Sequence, residues 1–87
     1  MGSYNIYFKP SVQKDLRRIP EATVVRVIKY IEGLAQDPRP RLSIKMLGAE
    51  RLYRLRVGDY RIIYEIDKGA RQVTIHYIRH RKEVYKK

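Results

Sequence analysis

Between residues 51 and 79 the chain alternates apolar and polar side chains with a period of two, interrupted twice by turn-forming residues. That period marks strands that bury one face and leave the other to water. Tyr53, Leu55 and Val57 fall on one side of the first segment, with Leu52, Arg54 and Arg56 on the other. Gly58-Asp59 makes a tight turn, glycine supplying the positive φ such turns use. In the second segment Tyr60, Ile62, Tyr64 and Ile66 share a face, opposite Arg61, Ile63 and Glu65. Lys68-Gly69-Ala70 turns the chain again, and residues 71–79, rich in β-branched and aromatic side chains, form a last strand. Its facing stays open, because Val73, Ile75 and Tyr77 compete with Ile78 for the core. An antiparallel sheet with one apolar face needs a cover.

The N-terminal half supplies it. Tyr4, Ile6 and Phe8 alternate with Asn5, Tyr7 and Lys9 as a short opening strand. Pro10-Ser11 starts a helix that Ser11 can cap, and Val12, Leu16 and Ile19 form one stripe. Pro20 closes that helix and suits the first turn of the next, where Glu21 meets the positive helix end. Val24, Val27, Ile28, Ile31, Leu34 and Ala35 make a continuous apolar face, ended by Asp37-Pro38-Arg39-Pro40. Residues 41–50 read as a connector in which Leu42, Met46 and Leu47 anchor to the core before Gly48 turns the chain. The expected fold is α+β: a small antiparallel sheet, an N-terminal α-hairpin packed on one face, and a short basic C-terminal tail or helix. At 87 residues, 1–87 reads as one domain with a modest core.

Several classes of function are excluded. Without cysteine there is no disulfide framework and no thiolate zinc site. His76 and His80 lie four apart across a strand-to-tail junction, so neither metal nor cofactor is expected. No apolar run approaches the ~20 residues of a membrane span, and no signal-peptide core opens the chain, which predicts a cytoplasmic protein without a membrane partner. Met1-Gly2-Ser3 has the form of an expression scar. There is no Gly-rich phosphate loop, the serines lack an evident base, and the nine carboxylates are dispersed.

Charge is the positive signal. The formal net charge is +11, of which +4 falls in residues 1–50 and +7 in residues 51–87. Such asymmetry at a pI near 10.2 points to a polyanion. If the helices cover the Tyr53/Leu55 and Ile62/Tyr64 face, then Arg54, Arg56 and Arg61 project from the other face, and Arg79 joins them if the last strand pairs alongside. The tail adds Arg81, Lys82, Lys86 and Lys87 around Tyr85. Cations favour the phenolate, so Tyr85 could accept a proton from a weak nucleophile or stack on a base.

The strings Leu52-Tyr53-Arg54-Leu55-Arg56-Val57-Gly58-Asp59-Tyr60-Arg61-Ile62-Ile63-Tyr64 and Arg79-His80-Arg81-Lys82-Glu83-Val84-Tyr85 resemble the RelE branch of the RelE/ParE toxin superfamily. The resemblance covers nearly the whole chain. It implies a type II toxin that cleaves mRNA in the ribosomal A site, monomeric alone and hetero-oligomeric with a RelB-like antitoxin. By position, Arg61, Arg79, Tyr85 and Arg56 match the catalytic set. Arg54, Arg81, Lys82, Lys86 and Lys87 are left to grip RNA or ribosome. Arg54 and Arg56 stand where other members can have lysine, and arginine holds its proton too firmly to shuttle it, so these two would serve as electrostatic clamps. His80 sits where some relatives carry an acid. Two alternatives remain: a ParE-like gyrase poison, and a non-catalytic basic RNA-binding protein.

Overall fold

The computed structural model describes residues 3–48 and 51–80. The elements run β1 (Asn5–Phe8), α1 (Pro10–Arg17), α2 (Glu21–Gly33), β2 (Ser43–Lys45), β3 (Leu52–Val57), β4 (Tyr60–Asp67) and β5 (Gln72–His80). The strands form one sheet in the order β1-β5-β4-β3-β2. The α+β architecture is the expected one, with two differences in the sheet.

First, β1 pairs with β5 in parallel, Asn5 beside Gln72 and Phe8 beside Ile75, so the sheet is mixed rather than wholly antiparallel. Parallel pairing needs a crossover connection, and between β1 and the β2–β5 meander the chain passes through both helices. Second, the connector contains an edge strand, β2, antiparallel to β3. It is three residues long, too short to show a period in the sequence. Of the expected anchors Leu42, Met46 and Leu47, Leu42 and Leu47 are exposed and Met46 is half-buried outside the core cluster; Ile44 is exposed as well. Alternation explains Ile44: it pairs with Arg54 on the face away from the helices, whereas Ser43 and Lys45 pair with Leu55 and Tyr53 on the helix side.

The core lies between the helices and one sheet face. Val12, Ile19, Val27, Ile31 and Leu34 meet Tyr53, Leu55, Val57, Ile62, Tyr64 and Ile66. The facing of β5 is decided by a bulge. Ile63 pairs with Tyr77 but Tyr64 pairs with Ile75, leaving His76 as the extra residue. Val73 and Ile75 before the bulge and Ile78 after it therefore all point into the core, and Tyr77 is turned to the outer face. The β3–β4 turn forms as expected, with Gly58 at φ 59°. In the β4–β5 turn the positive φ falls on Arg71, at 55°, not on Gly69.

Helix α1 differs from expectation in its caps and its buried face. Lys9 occupies the N-cap position without a side-chain bond, and Ser11 lies inside the helix, its Oγ donating to the His76 carbonyl at 3.2 Å. Asp15 is buried along with Val12, while Leu16 is only half-buried. Both polar residues serve the edge of β5 beyond its last partner in β1. There α1 replaces a strand, Ser11 meeting a carbonyl and Asp15 an N–H. Behind the core, the Tyr64 hydroxyl donates to the Pro38 carbonyl at 2.8 Å, tying the end of α2's loop to β4. Burial pushes its pKa up to about 12, with a smaller opposing effect from hydrogen bonding to Ser43. Among the described residues no helix is long and apolar enough to cross a membrane.

Candidate functional site

The register of three strands sets the site. Arg56 on β3 pairs with Arg61 on β4, and Arg61 pairs with Arg79 on β5. Three guanidinium-bearing residues thus stand in one row across adjacent strands, on the face away from the core and beside the Gly58-Asp59 turn. Arg54 lies one pleat along the same face, in a row with Ile63 and Tyr77. Like charges placed directly opposite on neighbouring strands disfavour folding, each pair by ~0.2–1 kcal/mol.

The arginines differ in their surroundings. Arg56 is exposed, and its Nε donates to the Gly58 carbonyl at 3.1 Å, which fixes its stem against the turn. Arg61, between the other two, is only 7% exposed, although it faces away from the helices. Ile63 beside it is likewise buried, so the centre of this outer face is enclosed and not open to water. Arg79 is held on two sides. Its guanidinium donates to Asp15 Oδ1 at 3.0 Å and lies over the Tyr77 ring, 4.7 Å from the ring centre. A cation over an aromatic face is held electrostatically as well as by packing.

Asp15 and Tyr77 are the site residues that sequence reasoning missed. An available signal for Asp15 was its spacing, three residues after Val12 and four before Ile19, which puts it on the buried stripe. For Tyr77 there was none, because its facing depends on the bulge. His80 packs edge-on against Tyr60, ring centres 5.1 Å apart, at the end of β5. His76 Nε2 lies 3.0 Å from Glu65 Oε1. Among the described residues, no three of His, Asp and Glu come together in a metal-holding group. Arg81, Lys82, Tyr85, Lys86 and Lys87, placed in the site by sequence, lie outside the described residues.

Comparison with known proteins identifies the family and the fold. A family profile described as the ParE toxin of type II toxin–antitoxin systems matches residues 6–85. Among curated proteins, the putative toxin RelE1 of Methanocaldococcus jannaschii is 31% identical over 86 residues, covering 95% of this chain and 96% of that protein. The toxin RelE of Mycobacterium tuberculosis is 30% identical over 84 residues, covering 95% and 87%. Among solved structures, the archaeal RelE–RelB complex from Pyrococcus horikoshii matches with a TM-score of 0.82 at 31% identity, over 91% of this chain and 96% of that one. The profile carries the name of one branch of the superfamily, whereas the relatives at 30% identity or more carry the other. The chain belongs to the RelE/ParE superfamily of type II toxin–antitoxin toxins, on its RelE side.

Proposed function

We propose that this toxin is a ribosome-dependent endoribonuclease that cleaves mRNA in the A site. The observation that carries the reading is the row of Arg56, Arg61 and Arg79 across three strands. RNA brings its own nucleophile. The ribose 2′-oxygen bonds to phosphorus as the bond to the 5′-oxygen breaks, giving a 2′,3′-cyclic phosphate and a 5′-hydroxyl that takes its proton from water. The protein must align these atoms, take the 2′-hydroxyl proton and stabilise charge on phosphorus. A phosphate laid over the row meets Arg56 and the open flank of Arg79 directly. The enclosed Arg61 acts on it from beneath, where low local polarity strengthens its field. Arg54 holds the neighbouring backbone. Tyr85 is the proposed base, with Arg81, Lys82, Lys86 and Lys87 gripping RNA around it.

The proposed protein partner is a RelB-like antitoxin, since the similar archaeal toxin was solved in complex with RelB. A basic toxin is best masked by an acidic or amphipathic segment laid over its arginines, giving a hetero-oligomer from a toxin that is monomeric alone. Association should be fast at low salt and slow at high salt.

The test is to map RNA ends in a purified translation reaction. New ends within the A-site codon support the reading. Intact mRNA with gyrase inhibition supports the ParE-like alternative, and intact mRNA with retained RNA binding a non-catalytic protein.

A further inference from the structure

A second cluster of cations lies at the other end of the sheet. Arg39 from the α2–β2 loop, Lys45 from β2, Arg51 before β3 and Lys68 from the β4–β5 turn line one cleft of about 460 Å³. Along β4, Arg61 and Asp67 are six residues apart, or about 20 Å at a strand's rise, so this cleft is separate from the arginine row. Its one acid among the described residues is Asp67, whose Oδ1 accepts the Ala70 N–H and whose Oδ2 sits 3.5 Å from Arg51. Arg51 is also 3.8 Å from Glu65. Asp67 and Glu65 offset part of the charge, that of Arg51 most of all, and the Arg39, Lys45 and Lys68 cations leave the cleft positive. Four cations converging from four segments onto one concave surface form a field that favours an anion.

The lining also says which anion. Its apolar members among the described residues, Tyr53 and Ile66, are already buried in the core and offer no anchor to a peptide. The exposed apolar side chain of β2, Ile44, points to the opposite face from Lys45. The cleft therefore presents charge on long stems beside a glycine, Gly69, where a backbone can approach closely. That suits a phosphodiester chain better than an acidic protein segment, which would need apolar contacts as well.

We infer that the Arg39/Lys45/Arg51/Lys68 cleft is a second RNA-backbone site, gripping phosphates at a distance from the arginine row. The choice of RNA as the polyanion rests on the reading above; the cleft and its charge do not.

The test measures binding, not cleavage, using a 2′-O-methyl oligouridylate of 12 nucleotides across a salt series. Lys45→Ala/Lys68→Ala removes two cleft cations, both exposed and outside the core. Lys14→Ala/Lys29→Ala removes the same charge from exposed helix positions and is the control. The expected result is a log–log salt slope flatter by about 1.4 for the cleft variant, with weaker binding at low salt, and a smaller change for the control. Equal effects of the two double variants, or no effect of either, would overturn the inference. So would loss of binding to a 12-residue oligoglutamate with RNA binding intact, which would make the cleft a peptide site. A protein that fails to cleave yet shows the cleft-specific slope change would sink the catalytic reading and leave this one standing.

Discussion

Asp15 and Arg79, 64 residues apart in sequence, form a 3.0 Å ion pair that joins α1 to the end of β5. The other carboxylate oxygen of Asp15 accepts the Ile78 N–H at 2.9 Å. One buried acid therefore closes the sheet's free edge and orients an arginine of the site. Asp15→Ala strands both partners and should destabilise the protein by ~2–3 kcal/mol in urea unfolding. Asp15→Asn keeps an acceptor for Ile78 and should lose less. A loss under about half a kcal/mol for Asp15→Ala, the usual size of a surface substitution, would show that the edge does not depend on this residue.

Tyr64 gives a pH dependence. Its pKa is raised from 10.0 to about 12 by burial, so the folded state holds the proton where the unfolded chain releases it. The associated stability is fully present below pH 10 and is lost as pH rises towards about 12. Tyr64→Phe cannot titrate there. The stability gap between wild type and variant should narrow, or reverse, by ~2 kcal/mol across that window in chemical denaturation at stepped pH. A constant gap would mean that the phenol is not held in its neutral form.

Crowded arginines make a prediction that separates stability from activity. Arg56 faces Arg61 across a ladder pair. Arg56→Gln removes one repulsion and should leave the fold equally stable or more so, by up to ~1 kcal/mol at low salt. The same change should slow RNA cleavage. A variant both less stable and fully active would contradict the role given to the row.

Much of this was legible because the sheet's central strands obey a strict period. Tyr53, Leu55 and Val57 against Ile62, Tyr64 and Ile66 define the core face, and that alone sends Arg54, Arg56 and Arg61 outward. The parts that were not legible share a physical cause: each depends on a contact distant in sequence. The bulge at His76 shifts β5 by one residue, which no local pattern reveals. Leu42, Met46 and Leu47 look like core anchors, but they flank a short edge strand, where Leu42 and Leu47 are exposed and Met46 is only half-buried. Ser11 has the chemistry of a cap, yet its hydroxyl is drawn to His76 because α1 lies against β5.

The role of Tyr85 is tested by comparing two substitutions. Tyr85→Phe keeps the ring and any stacking, whereas Tyr85→Ala removes both ring and hydroxyl. A general base predicts that the two lose nearly the same single-turnover rate. A Phe variant close to wild type, with only Ala inactive, would assign Tyr85 to stacking on a base.

The central claim is that the Arg56–Arg61–Arg79 row stabilises charge on a scissile phosphate, and the most direct measurement is single-turnover cleavage of ribosome-bound mRNA by Arg61→Ala. The row predicts a rate lower by ~10²-fold or more with ribosome binding largely kept, as expected when a preorganised donor in the transition state is lost. Wild-type cleavage by a folded Arg61→Ala protein would contradict it.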